Sequence, residues 1–129
     1  MFNLTKKTDY GLQLMMVLAK KYQKGPIALR QIAKEEKLPF KFLEQVVFLL
    51  KMAGLVDSKE GKNGGYFLTK SPKKISMAEV IEALEGPMEF GHCFGCPKAN
   101  LCVPKDIWAE VGDKVRKTMK GKTLEDLIK

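Results

Sequence analysis

The segment from Pro39 to Lys70 constrains the fold most, because it joins a short amphipathic helix directly to a glycine-rich hairpin. Pro39 suits the first helical position, where its missing N–H costs nothing, and Ala53-Gly54 is typical of a helix end. The predicted helix therefore covers residues 39–52. Four apolar side chains recur at the spacing of one helical face: Leu43, Val46, Val47 and Leu50.

The hairpin follows without a linker. Leu55-Val56 begins one strand and Tyr66-Phe67-Leu68 forms the other. The turn between them is expected to use residues that tolerate positive φ: Gly61, Asn63, Gly64 and Gly65. A helix followed by such a hairpin predicts the recognition helix and wing of a winged helix-turn-helix, in which the helix enters a DNA major groove. The alternative is an ordinary α/β fragment with no nucleic-acid role.

Two further helices precede this segment. The first is predicted from Thr8 to Tyr22, capped by Thr8 or Thr5. Gly25-Pro26 breaks the chain, and a second helix is predicted over residues 27–37. Its tight connection to the third helix matches a helix-turn-helix, although the turn residue is Lys37 rather than the usual glycine.

The charge of the chain is unevenly distributed. The 129 residues carry a formal net charge of +8, but residues 1–70 hold 13 lysines and arginines against six acidic residues, whereas residues 71–129 hold ten against nine. A basic N-terminal half favours a polyanionic partner, and plain solubility is the alternative. Together with the predicted recognition helix and wing, it makes double-stranded DNA the expected partner. There is neither a signal-peptide pattern nor an apolar run of membrane-spanning length, so we expect a cytoplasmic protein with no membrane partner.

One stripe of the third helix faces away from its apolar face: Lys41, Glu44, Gln45, Phe48 and Lys51. Glutamine can bond adenine, glutamate can accept from cytosine N4, and lysine can meet phosphate or guanine. Phe48 can touch a thymine methyl or pack under the wing, and we favour packing. On the wing, the expected DNA contacts are Lys59, Lys62, Asn63 and Gly64.

The C-terminal part is predicted to hold two longer helices and a loop. Ser76-x-x-Glu79 is a capping box that opens a helix ending at Gly86-Pro87. A helix over residues 104–120 carries an apolar stripe, and Thr123-x-x-Asp126 caps a last turn over 124–128. The stripe consists of Trp108, Val111 and Val115, with Ile107 beside it. Symmetric DNA readers usually dimerise on palindromic sites, so we interpret 104–120 as a dimerisation helix; the alternative is that it folds back on its own domain.

The predicted fold is thus mainly α with a small β wing. A winged helix-turn-helix domain over 1–74 precedes a sensor and dimerisation region over 75–129.

The loop 87–103 holds all three cysteines and the only histidine, in the pattern Cys93-x2-Cys96-x5-Cys102 with His92 adjacent. Clustered thiolates suit an iron–sulphur cluster of the 2Fe–2S or 4Fe–4S type. Zinc, with His92 as fourth ligand, is an alternative, as are a thiol switch and no ligand at all. A dithiol oxidoreductase using Cys93 and Cys96 would need a βαβ context that the chain lacks, so we expect no enzyme and no small-molecule substrate.

Several stretches together resemble the IscR/NsrR family of bacterial winged-helix regulators. They are LTKKTDYGLQLMMVLA (4–19), IALRQIAKEEKLPFKFLEQVVFLLKMAGLVDSKEGKNGGYFL (27–68) and ISMAEVIEALEG (75–86), followed by the cysteine loop. The resemblance implies a homodimeric transcriptional regulator, of the repressor type, that binds a palindromic operator. It also implies a cluster that senses cluster supply, redox state or nitric oxide. By resemblance, Glu44 and Gln45 read bases.

The chain departs from the family pattern at three positions. Glu60 stands where the family often has a basic residue before the first wing glycine, so the wing contact is expected from Lys59 and Lys62. The first cysteine gap is x2 rather than x5, and Lys105 replaces the histidine that serves as a ligand in IscR. By resemblance to the nitric-oxide-sensing members, Asp9 of the Thr8-Asp9 pair is the first candidate for the fourth ligand, reaching across the dimer. His92 is the second candidate. A carboxylate near a helix N-terminus is also a common stabilising placement.

Overall fold

The computed structural model describes residues 5–87 and 103–129, and in this part the protein is mainly helical with one two-stranded antiparallel sheet. This confirms the predicted fold class. The helices are α1 (Lys6–Lys20), α2 (Leu29–Glu36), α3 (Phe40–Met52), α4 (Met77–Glu85), α5 (Val103–Gly121) and α6 (Leu124–Ile128), and the strands are β1 (Val56–Lys59) and β2 (Gly65–Leu68).

The predicted helices are present, with ends shifted by one or two residues for physical reasons. Thr5 caps α1 by accepting the N–H of Lys7, so the cap is Thr5 and not Thr8. The helix α2 begins two residues later than predicted because Ile27 pairs with Tyr66 in an antiparallel bridge, which requires extended backbone. Pro39 is the N-cap of α3 rather than its first helical residue.

The turn between α2 and α3 contains a residue in the left-handed region. Lys37 adopts φ 55° and ψ 47°, the conformation that glycine usually supplies at the end of a helix. Its N–H donates to the carbonyl of Ala33. The helix-turn-helix therefore forms with a lysine at the strained position.

The wing is tied to the chain ahead of α2 by a close backbone approach. Strand β1 pairs with β2 from Val56↔Leu68 to Lys59↔Gly65. The bridge then adds Ile27, whose N–H donates to the Tyr66 carbonyl at 3.0 Å and whose carbonyl accepts from the Tyr66 N–H at 2.8 Å. A Cβ on Gly65 would lie 2.3 Å from the carbonyl carbon of Ile27, so only glycine permits this bridge.

The turn of the wing uses positive φ at Gly61 and Gly65. Asn63 and Gly64, the other two residues predicted for the turn, do not adopt positive φ.

One hydrophobic core unites the helix-turn-helix, the wing and the helices α4 and α6. It includes the four apolar residues predicted to share one face of α3, together with Leu29, Ile32 and Ala33 of α2, and all of them are buried. It also includes Ile75, Val80 and Leu84 around α4, and Leu124 of α6. The core thus crosses the predicted domain boundary at residue 74, and the functional division at that point stays a prediction. In the residues that the structure describes, no helix is long and apolar enough to span a membrane.

Helices α4 and α6 begin side by side, each with the predicted capping box, at Ser76/Glu79 and Thr123/Asp126. Ser76 and Thr123 form a β-bridge, and hydrogen bonds from Met77 N–H to the Lys122 carbonyl (2.8 Å) and from Leu124 N–H to the Ile75 carbonyl (3.0 Å) extend it. The Thr123 N–H holds the pKa of the Asp126 carboxyl below its usual value. The C-terminal end of α5 is therefore anchored to the core.

Candidate nucleic-acid interface

The outward stripe of α3 is exposed, whereas the opposite face of the same helix is buried in the core. We call this stripe the reading face: Lys41, Glu44, Gln45, Phe48 and Lys51. Phe48 is 61% exposed, so the prediction that it packs under the wing is wrong. The wing contacts α3 elsewhere, because Leu55 and Val56 enter the core beside Leu50.

Lys51 joins the reading face to the wing. Its Nζ donates to the Ser58 Oγ at 2.7 Å, linking the last turn of α3 to strand β1. The ammonium remains exposed. Lys51 therefore links the helix to the wing and also places a positive charge on the reading face.

Glu44 and Phe48 lie one turn apart and form a ridge between two recesses. One recess, of about 430 Å³, is also lined by Arg30, Phe40, Lys51 and Tyr66. The other, of about 620 Å³, is also lined by Lys7, Lys41 and Gln45. Each recess thus contains two cationic side chains beside the same ridge.

Sequence reasoning missed Lys7 and Arg30, because they lie on α1 and α2 rather than on α3. The Arg30 guanidinium lies 4.2 Å from the centroid of the Phe40 ring, a cation–π contact that orients it beside the reading face. The available signal was that Arg30 occupies the first turn of a helix joined to α3 by a tight turn. Lys7 is similarly in the first turn of α1.

The four predicted wing residues occupy different environments. Lys62 and Asn63 are exposed at the tip of the hairpin. Lys59 is exposed on β1 and lines a cleft of about 340 Å³ with Tyr22 and Phe67. Gly64 closes the turn, since a Cβ there would lie 2.1 Å from the carbonyl oxygen of Lys59. Lys59, Lys62 and Asn63 are thus exposed to a partner, and Gly64 shapes the turn that carries them.

Of the five predicted metal ligands, one lies among the residues that the structure describes and four do not. Asp9 is exposed in the first turn of α1. Cys93, Cys96, Cys102 and His92 lie outside the described residues. Within 5–87 and 103–129, no group of three or more histidine, cysteine or acidic side chains gathers as a metal site.

The first turn of α1 is attached to the end of α4. The hydroxyl of Thr8, which is only 3% exposed, donates to Glu85 Oε1 at 3.2 Å, and the Thr5 hydroxyl donates to the same oxygen. Glu85 is the last residue of α4, two positions before the cysteine loop 87–103. Asp9, which directly follows Thr8, is therefore on a turn held at the start of that loop.

The apolar stripe of α5 is largely exposed. Ile107, Trp108 and Val111 are exposed by 57%, 43% and 39%, respectively, and Val115 is half-buried. Nearer its C-terminal end, Met119 packs against Ala78 and Ile81 of α4. One end of α5 is thus held by its own domain, and the apolar stripe at the other end faces outward.

The chain matches the family described as "Rrf2: Iron-dependent Transcriptional regulator" over residues 4–129. It is 36% identical to the HTH-type transcriptional regulator CymR of Bacillus subtilis over 124 residues, which cover 96% of this chain and 88% of that protein. It is 30% identical to the regulator IscR of Pectobacterium carotovorum over 128 residues, which cover 97% of this chain and 78% of that protein.

Solved structures agree with this similarity. The structure of B. subtilis CymR, described as the global cysteine regulator, superposes with a TM-score of 0.85 over 99% of this chain and 97% of that chain, at 36% identity. T. potens IscR superposes with a TM-score of 0.80 over 98% and 86%, at 32% identity. The oxidised form of Staphylococcus aureus CymR superposes with a TM-score of 0.79 over 99% and 97%, at 37% identity.

A winged helix with an exposed, cation-flanked recognition helix, together with these relatives, is the structure of a DNA-binding regulator and not of an enzyme. The chain belongs to the Rrf2 family of transcriptional regulators.

Proposed function

We propose that the protein is a homodimeric repressor that reads a palindromic operator with α3 and responds to a signal received by the cysteine loop. The observation that supports operator reading most strongly is the Glu44–Phe48 ridge with cations in both flanking recesses. A protruding ridge can meet base edges in the major groove, while the cations on either side meet the phosphates that border it.

Base reading is assigned to Gln45 and Glu44, which are exposed on the reading face. Loss of a bidentate contact costs about 1–3 kcal/mol of discrimination, so Gln45→Ala should weaken binding to a selected duplex far more than to random duplex. Gln13→Ala, an equivalent change at an exposed position of α1, is the control. Equal losses on both duplexes with Gln45→Ala would show that Gln45 reads no base.

The wing is proposed to contact phosphates through Lys59 and Lys62. Each phosphate contact releases about one counterion, so replacing both with alanine should lower the slope of log K against log salt by about 2 per protomer. Replacing Lys73 and Lys74, which are exposed in the turn after the wing, removes the same charge as a control. An unchanged slope in the wing variant would show that these two lysines do not contact DNA phosphates. Asn63 and Gly64, at the same tip of the wing, are proposed to approach the sugar–phosphate backbone of the DNA.

Dimerisation is assigned to the α5 stripe, because three large apolar side chains are exposed there on a helix whose other end is anchored. A second copy of the stripe would bury them, and two α3 helices could then meet half-sites one helical turn apart, about 34 Å. Trp108→Ser should shift the protein toward monomer in sedimentation, whereas Lys117→Ser should not. A wild-type protein that is monomeric at micromolar concentration would exclude this assignment.

The cysteine loop is proposed to hold an iron–sulphur cluster through Cys93, Cys96 and Cys102, with Asp9 as fourth ligand and His92 as second candidate. The attachment of the first turn of α1 to Glu85 supports Asp9 of the same chain, rather than the Asp9 across the dimer that the resemblance implied, because it keeps that turn beside the start of the loop. When bound, a cluster with three thiolates and one carboxylate would have one iron open to exchange. A contact between Asp9 and the loop would tie the sensor to α1, which also carries Lys7.

Anaerobic reconstitution with iron and sulphide, followed by visible absorption and iron analysis, tests this assignment. Cysteine-to-serine changes at each of the three positions should abolish the absorption. Asp9→Ala should leave a cluster that forms but is lost faster, and Asp57→Ala, another exposed aspartate, should change nothing. A colourless protein that takes up one zinc ion per chain would replace the cluster with the zinc alternative.

A thiol switch is the second candidate for the loop. It is favoured by the similarity to S. aureus CymR, which has been solved in an oxidised form. A thiol switch predicts that a colourless, metal-free protein changes its DNA affinity reversibly between mild oxidant and dithiothreitol. A protein whose affinity follows iron loading under constant reducing conditions would exclude it.

A further inference from the structure

The exposed aromatic ring on the reading face requires an explanation. Phe48 is 61% exposed on a helix whose opposite face is fully buried, and its neighbours on the stripe are charged or amide side chains. Met52, one turn farther along α3, is also exposed, at 72%, but it lines neither recess. Phe48 is therefore the apolar group that the interface presents between its cations.

The ridge determines what Phe48 can reach. Phe48 and Glu44 line both recesses, so these two side chains stand between Arg30 and Lys51 on one side and Lys7 and Lys41 on the other. If the cations meet the phosphates on the two edges of a major groove, the ridge between them faces the base edges at the floor. Phe48 would then be the side chain that is desolvated against bases rather than against phosphates.

The major groove offers one apolar group, the C5-methyl of thymine. Residues one helical turn apart are separated by about 5.4 Å along the helix, and base pairs by about 3.4 Å along the duplex. The base met by Phe48 should therefore lie one or two base pairs from the base met by Glu44. We propose that Phe48 is a specificity-determining residue that reads a thymine methyl next to the position read by Glu44.

This inference rests on the proposed reading of DNA by α3, and the test separates the two. A preferred duplex is first selected from a random library with the wild-type protein. Each thymine of one half-site is then replaced singly by deoxyuridine, which lacks only the methyl group. Burial of one methyl is worth about a threefold to fivefold change in affinity, so one uracil position per half-site should weaken wild-type binding by that factor.

The Phe48→Ala variant provides the decisive comparison. This variant should have about the same affinity for the thymine duplex as for the uracil duplex, because it lacks the side chain that contacts the methyl group. Met52→Ala should keep the wild-type difference between the two duplexes. Since Phe48 is exposed, its replacement should leave the thermal melting of the protein unchanged, so a loss of affinity cannot be attributed to unfolding.

Two results would overturn the inference while leaving operator reading intact: a selected site in which no uracil substitution matters, or a Phe48→Ala variant that still distinguishes uracil from thymine. Failure of the wild-type protein to select any sequence would instead overturn the proposed function itself.

Discussion

Replacing Leu124 with alanine should destabilise the whole DNA-binding domain, although residue 124 lies 54 positions beyond the end of the Pro39–Lys70 segment. The Leu124 side chain has no exposed surface and belongs to the same core as Leu43 and Ile75. Leucine-to-alanine changes at buried sites cost about 2–5 kcal/mol. The absence of any exposed surface favours the upper half of this range. For 129 residues, an unfolding entropy of about 2.1 cal/mol/K per residue converts each kcal/mol into about 4 °C, so Tm should fall by about 14–20 °C.

The assay is thermal unfolding followed by far-UV circular dichroism, with variants compared at equal protomer concentration because dimerisation adds to apparent stability. Leu127→Ala is the matched control, since it makes the same change at a half-buried position of α6 and should lower Tm by clearly less. A Leu124→Ala variant that melts no earlier than Leu127→Ala would show that α6 is not docked in solution. The inference that the C-terminal end of α5 is held in place because α6 packs into the core would then be wrong.

Three further substitutions test the backbone conformation at Gly65 and Lys37 and the proposed DNA contact of Arg30. Gly65→Ala should break the two hydrogen bonds between Ile27 and Tyr66, at a cost of about 2 kcal/mol, and speed amide exchange at Tyr66; exchange as slow as in the wild type would contradict the close approach. Lys37→Gly should stabilise the protein by up to about 1 kcal/mol in urea unfolding, because glycine relieves left-handed strain, and a loss of stability would refute that strain. Arg30→Ala should lower the salt slope of DNA binding by about 1, whereas Lys34→Ala on the same helix should leave it unchanged; equal effects would mean that Arg30 has no specific phosphate partner.

The elements that depend on neighbouring residues could be predicted from the sequence. The capping boxes at Ser76 and Thr123 are read correctly because both partners lie within three residues. The buried face of α3 is read correctly because its spacing has the helical period. The start of the helix predicted over residues 27–37 is wrong because Ile27 pairs with Tyr66, which lies 39 residues away.

The candidate site likewise combines features that the sequence predicts with features that only the packed structure shows. Periodicity shows that Phe48 lies on the outward face of α3, but only the packing of the wing shows that nothing within the described chain covers it. Lys7 and Arg30 line the recesses beside the reading face because α1 and α2 pack beside α3. Composition and residue spacing do not show which helices pack beside one another.

The sequence by itself determined the winged helix-turn-helix, the outward stripe of α3 and the family resemblance, because helical period, capping and turn chemistry act over a few residues. Only the tertiary structure decided that Leu124 completes the N-terminal core, that Gly65 must let Ile27 approach, and that Glu44 and Phe48 form a ridge between two pairs of cations. These features depend on contacts between residues far apart in the chain. Their free energy comes from burial and backbone pairing that exist only after the helices have packed.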